Sequence, residues 1–112
     1  MGRYGAASEL LPGTLELLIL KTLARGEMHG YGIAQRVKQL SEDVLEVGES
    51  SLYPALQRLL LKGWVKAKWG ASESNRRAGC YTLTAAGRRQ LGIEREQFDR
   101  VILAINKVLD AT

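Results

Sequence analysis

Thiol and metal chemistry have little to draw on in this chain, which holds one cysteine, Cys80, and one histidine, His29. A lone thiol forms no intrachain disulfide and suits a reducing compartment. Zinc sites need several Cys or His ligands at short spacings, and phosphate-binding loops need a glycine-rich run; neither pattern is present. Cys80 and His29 would make a nucleophile and its base only if folding joined them. The chain is therefore not expected to be an enzyme, nor to need a cofactor or metal. Long apolar runs are also missing: no window approaches the roughly 18 to 20 apolar residues of a membrane span, and the opening MGRYGAASELLPG lacks the apolar core of a secretory signal. Ala6 stands where a myristoylation motif requires Ser or Thr. A cytoplasmic protein with no membrane partner is expected.

What is present fits one compact domain. A chain of 112 residues can bury a core without disulfides or metals, and 46% hydrophobic with 25% charged residues is the composition of an ordinary folded protein. The net charge of +4 is a weak signal alone, but it is concentrated. Between residues 64 and 90 stand Lys66, Lys68, Arg76, Arg77, Arg88 and Arg89 against Glu73 only, so this stretch is positive and the remainder nearly neutral.

Periodicity supplies the elements. Pro12-Gly13-Thr14 is a start signal, and Leu15, Leu18, Ile19 and Leu23 recur at helical spacing until Gly26; Leu17, Leu20 and Ala24 predict burial on more than one side. After a turn over 26–30, Ile33, Ala34, Val37 and Leu40 form one stripe of a second short helix. Residues 44–47 read as an extended connector ending at Gly48. A third helix follows, capped by Ser50 or Ser51 and stopped by Gly63; Pro54 fixes this start, because proline is cheap only within the first helical turn. Residues 64–69 alternate with period two and 80–83 are again strand-like, which predicts a β-hairpin with a long basic tip. Thr84 should cap a last helix reaching about Leu109, roughly 38 Å at 1.5 Å per residue.

Three helices followed by a hairpin is the order of a winged helix-turn-helix, a mainly α fold with a small β-hairpin wing. The expected division is a winged domain over residues 1–83 and a dimerisation helix over 84–112, together one compact unit. On the third helix Leu52, Ala55, Leu56 and Leu59 gather on one side, and Ser50, Pro54 and Gln57 on the other, flanked by Tyr53 and Arg58. That polar face suits double-stranded DNA. Gln57 and Arg58 can donate to base edges, Ser50 and Ser51 can bond phosphates beside the helix N-terminus, and Tyr53 can pack on sugar. In the hairpin, Lys68, Asn75, Arg76 and Arg77 can reach the backbone or a narrow minor groove. Leu61 falls near the middle of the polar face without an explanation. On the last helix Leu91, Phe98, Val101, Ile105 and Val108 match a and d positions, widened by Ile102 and Leu109, and predict a homodimer.

A further set of residues is quite specific. Leu15 to Leu23 precede His29-Gly30-Tyr31-Gly32; then come Ser51-Leu52-Tyr53-Pro54-Ala55-Leu56, Leu59, Gly63-Trp64-Val65, Asn75-Arg76-Arg77 and Tyr81-Thr82-Leu83-Thr84-Ala85-Ala86-Gly87. From about Leu11 to Leu91 the chain resembles PadR-like transcriptional regulators of the short type with a single C-terminal helix. The resemblance implies a dimeric winged-helix repressor, with Tyr53 and Pro54 matching the recognition-helix signature and Arg76 and Arg77 the wing. It also implies that some members release DNA on binding a phenolic or drug-like inducer near the dimer interface. Two departures stand out: Gly79-Cys80 replace bulkier or basic residues, and Leu60-Leu61 stand where polar residues are common. The rival reading is a winged-helix module that docks proteins without DNA. His29, Tyr31 and Tyr81 are expected to be structural, and Trp64 and Trp69 to pack between hairpin and helices.

Overall fold

The computed structural model describes residues 13–69 and 79–112. Their order is α1 (Thr14–Leu23), β1 (Met28–His29), α2 (Gly30–Leu40), α3 (Glu49–Leu61), β2 (Val65–Lys68), β3 (Cys80–Leu83) and α4 (Ala85–Leu109). This is the winged-helix arrangement with a long C-terminal helix. The hairpin has the expected antiparallel register, Val65 opposite Leu83 and Lys68 opposite Cys80. It also gains a strand the alternation could not reveal. β1 is two residues long, too short for any period, and pairs antiparallel with β3, Met28 opposite Tyr81 and His29 opposite Cys80, in the order β1-β3-β2.

The core lies where α1, α2 and α3 meet the inner face of this sheet. Ile19, Leu20, Leu23, Ile33, Leu52, Leu56, Leu59 and Tyr81 are almost wholly buried. Each such side chain contributes about 1.5–3 kcal/mol relative to an exposed one. Helix α1 buries Leu17 as well as Leu15, Ile19 and Leu23, because α4 packs on one side of it and α2 and α3 on others. The expected stripe of α2 is cut short: Ile33 and Val37 are buried, but Leu40 is 60% exposed, since the chain turns away after it. That turn is a Schellman closure in which Asp43 N donates to Lys38 O at 2.9 Å and Glu42 N to Gln39 O at 3.1 Å. Glu42 and Asp43 consequently take φ of 54° and 70°.

Two joints fix the hairpin against the helices. At the end of α3, Gly63 (φ 77°) forms the expected stop, with Trp64 N donating to Leu59 O and Gly63 N to Leu60 O, both at 3.1 Å. At the start of α4, Thr84 Oγ1 accepts from Gly87 N at 3.0 Å and donates to Gly63 O at 2.7 Å, while Thr84 N donates to Trp64 O at 3.1 Å. A methyl group on Gly87 would run into the Trp64 carbonyl, so only glycine lets α4 start this close to the α3–β2 turn.

Candidate nucleic-acid interface

Helix α3 is anchored by Leu52, Tyr53, Ala55, Leu56 and Leu59, all buried, which turns the opposite stripe outward. Ser50, Pro54, Gln57 and Leu61 are exposed along that stripe and Ser51 is half-buried on its flank. The polar face read from the helical period is therefore presented to solvent as a unit, and Leu61 at 80% exposure projects from it. Leu60, by contrast, packs against the core, which accounts for half of the Leu60-Leu61 departure.

Expectations on the start of this helix and on Tyr53 are corrected. Its N-cap is Gly48, not Ser50 or Ser51, and no side chain caps it. Leu52 N donates to Gly48 O at 2.9 Å, so both serines already lie within the first turn. Pro54 is thus an interior residue, and its missing N–H deprives the Ser50 carbonyl of its intrahelical donor on the exposed side. Tyr53 is not a surface contact: it is 8% exposed, and its ring lies against α2 where Gly30 has no side chain. A Cβ on Gly30 would come within 2.8 Å of that ring. Arg58 is exposed but not free, since its Nε donates to Glu16 Oε2 of α1 at 2.6 Å. Lys62 Nζ lies 3.3 Å from the other oxygen of the same carboxylate and 4.8 Å from the centre of the Trp64 ring. Glu16 was not singled out from the sequence, where an acid in a first helical turn reads only as a partner for the helix dipole.

The sheet's outer face carries exposed cations. Lys66 and Lys68 are exposed and alternate with Val65 and Ala67, which face inward. Lys68, Cys80 and His29 form one row across β2, β3 and β1. Folding does join Cys80 to His29: Sγ lies 3.6 Å from Nε2 and 3.8 Å from Nδ1. No group of three or more His, Cys, Asp or Glu among the described residues could hold a metal. Trp69 covers Gly79 and meets Tyr81 edge-on at 6.3 Å; a side chain at position 79 would collide with the indole. The glycine before Cys80 thus admits an aromatic cover at the base of the hairpin. Asn75, Arg76 and Arg77 lie outside the described residues. Tyr81 is a core residue as expected, whereas Tyr31 is 63% exposed.

Helix α4 divides along its length. Leu91 is half-buried and packs against the chain's own core. Phe98 and Ile102 are half-buried, while Val101, Leu103, Ile105, Val108 and Leu109 are exposed. A cleft of about 520 Å³ between α1 and α4 is lined by Leu17, Phe98 and Val101 with Glu16, Glu94 and Lys62. No described helix is long and apolar enough to cross a membrane.

Comparison with known proteins agrees with this architecture. The model of the transcriptional regulator PadR-like family matches residues 19–93. A transcriptional regulator from Clostridium thermocellum superposes with a TM-score of 0.77 at 27% identity, over 85% of this chain and 92% of that one. A PadR family transcription regulator from Clostridium difficile gives 0.71 at 28% identity, over 87% and 99%. Bacillus subtilis PadR, solved in complex with operator DNA, gives 0.60 at 28% identity, over 70% of this chain and 44% of that one.

Proposed function

Because the chain belongs to the PadR-like family of transcriptional regulators, we propose that it is a repressor that binds a palindromic DNA operator as a homodimer in the cytoplasm. The observation that carries this reading is the outward stripe of α3, Ser50, Pro54 and Gln57, held in place by a fully buried opposite face. In the major groove, Gln57 pairs with an adenine edge, and Ser50 and Ser51 bond phosphates beside the positive end of the helix. Lys66, Lys68 and the wing residues Arg76 and Arg77 neutralise the flanking backbone, and the Asn75 amide donates a hydrogen bond to it. Phe98, Val101, Ile102, Ile105, Val108 and Leu109 pack against the same residues of a second copy, so that residues 84–112 act as the dimerisation element. An aromatic inducer fits the α1–α4 cleft, where apolar walls meet a few charged groups.

Enrichment of duplexes from a randomised pool tests the reading. The expected product is a palindrome with half-sites about 10–10.5 base pairs apart. Gln57→Ala is expected to relax discrimination at one position of each half-site by about 1–3 kcal/mol. A pool that yields no preferred sequence, or a preference indifferent to Gln57, contradicts it.

A further inference from the structure

Glu16 and Arg58 stand 42 residues apart, and their contact has a direction. The Glu16 side chain is 13% exposed, whereas those of Arg58 and Lys62 are 52% and 46% exposed. The anion therefore lies behind and the two cations in front, leaving the cluster with one net positive charge facing outward. A guanidinium is a rigid planar fork of five N–H donors. Here the hydrogen bond to Glu16 runs through Nε, and among the described residues no hydrogen bond is drawn from the terminal Nη pair, which can serve a second partner. That pair matches two adjacent acceptors, the O6 and N7 of guanine or two phosphate oxygens. At 100° per residue Arg58 falls about 70° from the middle of the outward stripe of α3, on the flank nearest α1.

We propose that Glu16 is a positioning residue for DNA recognition: it braces Arg58 through Nε and aims the terminal nitrogens at a two-acceptor edge of the duplex. The inference rests on the DNA-binding reading above. Bracing fixes a long side chain before the complex forms, so less rotamer freedom is lost on binding. The opposite role, in which Glu16 withholds Arg58 from DNA, differs in sign. Removing a withholding carboxylate frees a cation and deletes an anion, and both changes tighten binding to a polyanion. Removing a brace weakens binding despite the gain in positive charge.

The test uses the full chain and two probes, the duplex enriched by the wild-type protein and a scrambled version, with binding followed by fluorescence anisotropy. Glu16→Ala is expected to weaken binding to the enriched duplex roughly five- to tenfold. Glu16→Asp retains the charge but shortens the reach and should weaken it as well. Arg58→Ala should weaken it at least as much as Glu16→Ala, and the double variant no more than Arg58→Ala alone. A loss confined to the enriched duplex assigns Arg58 to guanine, and an equal loss on both duplexes assigns it to phosphate; either supports the brace. Circular dichroism and thermal unfolding verify that each variant is folded, and Glu16→Gln, which retains the size of the side chain, replaces Glu16→Ala if the latter is not. Unchanged or tighter binding by Glu16→Ala, or losses that add in the double variant, overturns the proposal. A wild-type chain that prefers no duplex overturns the DNA reading and the brace together, whereas a clear preference indifferent to Glu16 overturns the brace alone.

Discussion

Glu42 occupies a left-handed backbone position at the end of α2, where an L side chain crowds its own carbonyl. The strain is about 1–2 kcal/mol, partly offset by the backbone freedom that a glycine loses on folding. Glu42→Gly is expected to stabilise the protein by about 0.5–1 kcal/mol, seen as a higher denaturant midpoint with an unchanged slope. A lower midpoint would show that the Glu42 side chain contributes more than its backbone costs. Gly87 presents the reverse case: a methyl group there meets the Trp64 carbonyl, which is rigid backbone. Gly87→Ala is expected to destabilise by about 1–3 kcal/mol, by the same measurement. At this scale the sequence was only partly legible. Tyr53 sits at the edge of the apolar face of α3, and its burial depends on the missing side chain of Gly30 on another helix. Arg58 looks like a free cation until α1 brings Glu16 beside it, and no local pattern announces a pair so distant along the chain.

Elements with strong end signals were the most legible. Gly63 ends α3 and Thr84 begins α4 as their residue types imply, because both signals act through the local backbone. Thr84 does more than cap, since its hydroxyl also donates to Gly63 O and so ties α4 to the end of α3. Thr84→Ala should cost about 1–2 kcal/mol of stability, more than an average cap, as judged by thermal or denaturant unfolding. A loss below about 0.5 kcal/mol would mean that water replaces both bonds without penalty. The start of α3 was misread for a physical reason. Two serines and a proline made a local case for a late start, but the buried stripe of Leu52, Tyr53, Ala55, Leu56 and Leu59 holds the helix, which starts at Glu49 and tolerates an interior proline. Strand β1 escaped notice because two residues carry no period, and only β3 beside them makes them a strand.

Across the whole molecule, the apolar residues of α4 that its own chain leaves uncovered decide the proposed assembly. Val101 and Ile105 are 48% and 37% exposed, so charging both should leave the fold of one chain intact. The double substitution Val101→Glu/Ile105→Glu is expected to sediment as a monomer with an unchanged far-ultraviolet spectrum, and to bind the operator with markedly lower affinity. A variant that stays dimeric would place the interface elsewhere. The overall architecture was the most legible level of all, since the order of the four helices and the hairpin, and the length of the last helix, follow from residue patterns. Among the residues expected to face DNA, Tyr53 was misplaced, because packing buries it.

Binding to DNA is the central claim, and its salt dependence tests it most directly. Two copies that each bring Lys66, Lys68, Arg76 and Arg77 to the backbone would neutralise roughly six to eight phosphates, each adding about 0.9 to the steepness of log affinity against log salt. Between 50 and 200 mM salt the affinity for the enriched palindrome should therefore fall roughly 10³- to 10⁴-fold, with two chains bound per duplex. An affinity that hardly changes with salt, or that is equal for the scrambled duplex throughout, would contradict the account and point to a winged helix that docks another protein.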